Sequence, residues 1–261
     1  MNSKIKIGFF DSGVGGISVM AHAKNRIKNA EYIYYADTLH VPYGSKTREQ
    51  IISYSDAAVG YLVSQGVSAV VVACNTATSM SIEYLRSKYS IPIIGMEPAV
   101  KPAAERHPGK PVLVTATPVT IAGEKLHNLI NRVYVNGIMP DLIGLPGLVT
   151  FAESENFDVD TVAEYLDSVI DKSKNYAAVV LGCTHFTYFR DSFRKLLGNN
   201  IDLIDGTDGT VRRLISLLNL ETVDVCEDYD GIPTTYVRSG TLVEDEESLR
   251  FFKSLEKRAL I

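Results

Sequence analysis

Short apolar runs alternate with amphipathic runs along the whole chain. Positions 5–10 are apolar and lead into a glycine-rich turn, 17–29 have helical character, and 32–36 form a second apolar run. Thr47 with Gln50 makes a capping box that opens a helix reaching about Ser64. A third strand is predicted over 69–73, a helix over 79–89, and a short fourth strand over 91–95, where Pro92 favours an edge or a strand start. The pattern then begins again. A strand over 112–115 precedes a helix over 121–131 and an extended segment near Tyr134. A helix over 160–172, a strand over 177–181, a helix over 189–197, a strand over 202–204 and a helix over 210–218 follow. A polar stretch over 221–230, a strand near Tyr236 and a helix from about Glu246 close the chain and are expected to fold back on the first half. Such alternation predicts an α/β fold with parallel sheets covered by helices. The runs 69–73 and 177–181 are apolar at every position, as strands buried on both faces are.

Two of these strands end alike. Val70-Val71-Val72-Ala73-Cys74-Asn75-Thr76 is echoed by Val179-Val180-Leu181-Gly182-Cys183-Thr184-His185. The cysteines are 109 positions apart, and the opening strands of the two halves are offset by 106. Matching offsets predict an internal duplication: two similar open parallel-sheet α/β domains with a pseudo-twofold relation, spanning 1–97 plus 208–261 and 98–207. The two thiols are then expected to face one another across a cleft.

Bulk properties narrow the function classes. The 261 residues suffice for two compact domains with sizeable cores, and 46% apolar with 22% charged residues is a globular composition. The net charge of −5 is spread along the chain without a basic patch, which argues against a nucleic-acid partner. Three cysteines give no disulfide framework, and free thiols imply a reducing compartment. The start, Met1-Asn2-Ser3-Lys4-Ile5, runs straight into a short apolar strand, unlike a signal peptide, and no apolar run has membrane-spanning length. The expected location is the cytoplasm, with no membrane association.

Several motifs carry candidate chemistry. Asp11-Ser12-Gly13-Val14-Gly15-Gly16 lies between a strand and a helix, where glycines permit a tight turn and the helix start favours an anion such as a carboxylate. It lacks the third glycine of a dinucleotide fingerprint and the Gly-Lys-Ser/Thr of a P-loop, and its plainer reading is an ordinary strand–helix turn. Asp37-Thr38 leads to Pro42-Tyr43-Gly44, which taken alone reads as a surface turn. Cys74 and Cys183 both fall at carboxyl ends of strands, where open parallel sheets bind ligands. Either cysteine alone would read as a small buried hydrophobe. The polar groups that follow each, Asn75 and Thr76, then Thr184 and His185, would be costly to bury without partners and point to a polar ligand. No metal is expected: there is no C-x-x-C, and Cys183 with His185 lacks a second local pair. A Cys–His hydrolase built on Cys183 and His185 would leave Cys74 unexplained. Glu153, after the apolar run 148–152, reads on its own as a solvated loop acid, although a carboxylate near a thiol–imidazole pair could orient His185. Cys226, among Glu227, Asp228 and Asp230, reads as incidental.

Two opposed thiols suit removal of a proton from one face of a carbon and its return to the other. No site for pyridoxal phosphate is evident, so no cofactor is expected. One base must be deprotonated while the other is protonated, and a thiol with pKa ~8.5 can reach both forms near neutrality. Ser12, Asn75, Thr76, Thr184 and the glycine loop could hold substrate carboxylates, with Asp11 and His185 assisting the thiols.

With these motifs in order along nearly the whole chain, the sequence resembles the cofactor-independent glutamate racemases of bacterial cell-wall synthesis. The matching pieces are the loop 11–16, the segment from Asp37 to Pro42-Tyr43-Gly44, Cys74-Asn75-Thr76, Leu181-Gly182-Cys183-Thr184-His185-Phe186, and Ser239-Gly240 as the closing Ser/Thr-Gly element. The resemblance implies an active site between two similar domains, with Cys74 deprotonating D-glutamate and Cys183 deprotonating L-glutamate. It implies substrate contacts from Asp11, Ser12, Tyr43, Gly44, Asn75, Thr76, Thr184 and His185, and supporting acid/base roles for Asp11, Glu153 and His185. It also implies a homodimer whose D-glutamate feeds peptidoglycan. The chain departs from the family pattern at Thr115-Ala116-Thr117-Pro118-Val119-Thr120, where a Gly-Thr-x-Gly-Thr loop is usual, at Leu145-Pro146 in place of Cys-Pro, and in a longer stretch over 221–230. The alternatives are an aspartate or hydantoin racemase of the same fold, and a non-catalytic sensor of a small dicarboxylate.

Overall fold

The computed structural model describes residues 4–135, 137–224, 226 and 228–260. Met1, Asn2 and Ser3 of the N-terminal reading and Glu227 of the acidic stretch lie outside the described residues. The chain divides into two compact units, Met1–Met96 with Thr207–Ile261, and Glu97–Gly206.

The described strands are β1 (Ile5–Asp11), β2 (Ala30–Ala36), β3 (Ala69–Val72), β4 (Ile93–Gly95), β5 (Val112–Ala116), β6 (Asp141–Gly144), β7 (Ala178–Leu181), β8 (Asp202–Asp205), β9 (Thr234–Arg238) and β10 (Thr241–Leu242). The first unit's sheet has the order β10-β9-β2-β1-β3-β4, parallel throughout except for β10. The second unit's sheet has the order β6-β5-β7-β8, all parallel. Strands β2-β1-β3-β4 and β6-β5-β7-β8 therefore repeat one connectivity. β3 and β7 are buried at every position, which explains their uninterrupted apolar sequence.

In the first unit, one sheet face packs Phe10, Ile33, Tyr35, Val70 and Val72 against the helices Arg48–Ser64 and Asn75–Lys88. The other face presents Phe9, Tyr32 and Tyr34, as strand alternation requires, and the helix Glu246–Ala259 brings Phe252 against Tyr34. That helix is tied to the helix Ile17–Arg26 by a buried ion pair, Lys24 Nζ to Glu256 Oε2 at 2.8 Å. The Tyr229 and Tyr236 hydroxyls also donate to Glu256, so the buried carboxylate is fully engaged. β9 runs parallel to β2 at the edge of the first unit's sheet that β10 completes.

Some elements differ from the sequence expectation. The first helix stops at Arg26, because Ile27 bridges to Thr222. The helix expected from 79 begins at Asn75, and the segment 121–131 forms two helices, Pro118–Ala122 and Glu124–Val133, parted at Gly123. Tyr134 lies past the end of the second of these, and the strand is instead β6, only four half-buried residues. Among the described residues, no helix is long and apolar enough to cross a membrane.

Candidate active site

The residues singled out from the sequence fall into two groups, one in each unit. In the first unit, β1, β2 and β3 are parallel neighbours, so their carboxyl ends converge. Asp11, Asp37 and Cys74 follow from that edge. The Asp37 N–H donates to the Asp11 carbonyl at 3.0 Å, and the Ala73 N–H to the Phe10 carbonyl at 2.8 Å. Asp11 is fully buried, and its Oδ1 accepts from the Gly13 N–H at 2.9 Å. The Tyr34 hydroxyl holds the Gly13 carbonyl at 2.7 Å. A Cβ on Gly16 would lie 2.7 Å from Asp11 Cβ and 2.8 Å from Ala73 Cβ, so the turn passes where only glycine fits.

Cys74 is the N-cap of the helix Asn75–Lys88, and its sulfur accepts from the Ala77 N–H at 3.4 Å. This thiol cap is why the helix starts earlier than its polar residues suggest. The helix start brings positive partial charge to the sulfur. Ser12 Oγ lies 3.4 Å from Cys74 Sγ. Asn75 donates from Nδ2 to the Met96 carbonyl at 3.3 Å, while its buried Oδ1 has no hydrogen-bond partner. Thr76 is buried beside it.

In the second unit, Cys183 follows β7 as Cys74 follows β3, but the local structure differs. A 3-10 turn, Thr184–Phe189, replaces the α-helix. Cys183 Sγ lies 3.7 Å from His185 Nδ1, and His185 Nε2 lies 2.6 Å from Glu153 Oε1. Burial alone would push the imidazole pKa down, but hydrogen bonds to Cys183 and Glu153 outweigh it and hold His185 well above its ordinary value of 6.5. Thr184 is buried. Glu153 is not a solvated loop acid: it ends the helix Pro146–Glu153, mostly buried, with its carboxylate on His185. Leu145-Pro146 forms that helix's N-cap and first residue. The departure at 115–120 is likewise ordered, with Thr117 capping the helix Pro118–Ala122 through the Thr120 N–H at 3.4 Å.

Gly182 sets the approach to Cys183. Its N–H donates to the Thr115 carbonyl at 2.7 Å, and a Cβ there would meet that oxygen at 2.5 Å. The obstacle is backbone in the neighbouring strand and cannot swing aside. Gly182→Ala is therefore expected to lower stability by about 1–3 kcal/mol, read from denaturant unfolding, and to displace the thiol. Unchanged unfolding would show that the strand ends have slack.

The segment around Tyr43 is not a surface turn. Tyr43 is 1% exposed, and its hydroxyl donates to Asp37 Oδ2 at 2.7 Å. Burial, and then the Asp37 charge, push its pKa far above the ordinary tyrosine range. Gly44 follows it in a short 3-10 turn, Tyr43–Ser45. Asp37 and Ser239 had no individual role in the sequence reading. The available signal was positional, since Asp37 follows a strand adjacent to β1. Cys226 belongs to neither group, and among the described residues no disulfide joins Cys74, Cys183 or Cys226.

Residues 17–214 match the Asp/Glu/Hydantoin racemase family. A glutamate racemase of Halothermothrix orenii is 52% identical over 216 residues, 82% of this chain and 85% of that protein. One from Lachnospira eligens is 44% identical over 97% of both chains. The crystal structure of Escherichia coli glutamate racemase in complex with L-glutamate and the activator UDP-MurNAc-Ala superposes with a TM-score of 0.80 at 28% identity, covering 98% of this chain and 95% of that one. A family match that spans most of the chain, over strands β2-β1-β3-β4 and β6-β5-β7-β8 that repeat one parallel connectivity, makes this chain an isomerase that belongs to the Asp/Glu/hydantoin racemase family.

Proposed function

We propose that this chain interconverts L- and D-glutamate, with Cys74 and Cys183 as the two bases that act on opposite faces of the α-carbon. The observation that carries this reading is the repeated connectivity: β3 and β7 hold equivalent places in their sheets, and each is followed by a buried cysteine. Starting from L-glutamate, the Cys183 thiolate takes the α-proton and the C–H electron pair stays on carbon. The Cys74 thiol then delivers its proton to the other face, leaving D-glutamate, a Cys74 thiolate and a Cys183 thiol. The reverse turnover restores the starting protonation.

The two sulfurs are supported by different means. His185, whose pKa its hydrogen bonds to Cys183 and Glu153 raise against the effect of burial, favours positive charge beside Cys183, while the Ala77 N–H and the helix start serve Cys74. Asp11 supports the first thiol. Ser12, Tyr43, Gly44, Thr76 and Thr184 hold the substrate with His185, and the unsatisfied Asn75 Oδ1 suits its ammonium group. The similarity to glutamate racemases favours glutamate over aspartate or a hydantoin. The motif resemblance to the family implies a homodimer whose product enters peptidoglycan, and cysteines outside any disulfide fit a cytoplasmic setting.

The direct test is incubation of the purified chain with L-glutamate in D₂O without added cofactor. Loss of optical rotation should accompany α-deuteration. Activity on aspartate alone, or no exchange at all, would end the glutamate reading.

A further inference from the structure

We propose that Asp37 is a positioning residue for this reaction, clamped by Ser239 from the far end of the chain; this rests on the racemase reading above. Asp37 is 3% exposed, yet three donors converge on its carboxylate. The Tyr43 hydroxyl reaches Oδ2 at 2.7 Å, Ser239 Oγ reaches Oδ1 at 3.1 Å, and His40 Nδ1 lies 2.9 Å from both oxygens. An acceptor-only group is what such a set demands, and an amide could not accept from all of them.

Ser239 is built to hold this point. It takes a left-handed backbone, φ 46°, uncommon for a residue with a side chain. Its N–H donates to the Ala36 carbonyl at 2.8 Å, and its hydroxyl accepts from the Leu39 N–H at 3.0 Å while donating to Asp37. Three bonds from one residue thus fix the turn that carries Asp37. Asp37 in turn spends the Tyr43 hydroxyl, so Tyr43 contributes placement of its backbone and of Gly44 rather than proton chemistry. The Asp37 N–H also fixes the Asp11 carbonyl, linking the clamp to the loop beside Cys74.

The test compares steady-state racemisation by the full-length chain and its Ser239→Ala, Tyr43→Phe, double and Asp37→Asn variants, with unfolding midpoints measured in parallel. Ser239→Ala and Tyr43→Phe should each raise the glutamate KM by roughly three- to tenfold, the scale of one lost hydrogen bond. For Ser239→Ala, kcat should change by less than about threefold, because no proton-transfer group is touched. The double variant should be no worse than its worse parent, since both act through one carboxylate. Asp37→Asn should raise KM at least as far; if it does not fold, the other two variants and their combination still decide. An unchanged KM in Ser239→Ala, a loss confined to kcat, or effects that multiply in the double variant would overturn the clamp. An inactive wild-type chain would instead sink the racemase reading, and the clamp with it.

Discussion

Cys74→Ala and Cys183→Ala each stop racemisation, with expected losses of roughly 10²–10⁴-fold or more, the worth of a positioned proton-transfer group. Both thiols are buried at strand ends, so neither has an obvious substitute within reach of solvent. The informative part is what each variant keeps. With Cys183 intact, Cys74→Ala can still take the α-proton from the L-isomer, and an analogue with a leaving group on the adjacent carbon should then eliminate it. Cys183→Ala should do the same for the D-isomer only. Polarimetry follows racemisation, and release of the leaving group follows elimination. Elimination from the same isomer by both variants would refute the two-base assignment, as would racemisation that survives either substitution.

His185→Asn carries the second large effect. The imidazole pKa stands well above its unfolded value of ~6.5, held there by Cys183 and Glu153. The fold therefore binds this proton more tightly than the unfolded chain does. The resulting stabilisation is complete below about pH 6.5 and fades as pH rises through the raised value. Removing one partner of a buried pair costs about 3–5 kcal/mol, so wild type and variant should differ most in unfolding midpoint below about pH 6.5, and the gap should shrink as pH rises through the raised value. Deprotonation of L-glutamate should slow by roughly 10²-fold, with a smaller effect on the D-isomer, whose thiol has the helix start instead. A stability gap that widens with pH, or equal damage to both isomers, would contradict this account.

Much of the fold was legible because burial on both faces leaves an unbroken apolar run, as in β3 and β7. The Thr47–Gln50 capping box was equally plain, and both of its hydrogen bonds are present. The illegible parts have physical causes. β6 is four half-buried residues and shows no periodicity. The helix Pro146–Glu153 hides in an apolar run, so Glu153 looked like a loop acid until His185, 32 positions away, met it. The helix after Cys74 depends on a thiol as its cap, an unusual choice that masks the true start. Asp37 takes one of its partners from 202 positions away, which no local pattern reveals. The two cysteine motifs read as equals, yet one opens an α-helix and the other a 3-10 turn beside an imidazole.

The late return of β9 and the helix Glu246–Ala259 bears on how the polypeptide is made. On the ribosome, the span Glu97–Gly206 emerges in one piece, whereas β2 must wait for β9, which follows that whole span in the chain. A nonsense codon ahead of Thr234 would leave that flank an open edge, a template for aggregation. It would also leave the Lys24 ammonium without its counterion. Even late truncations of this gene should thus yield chains destined for quality-control proteases.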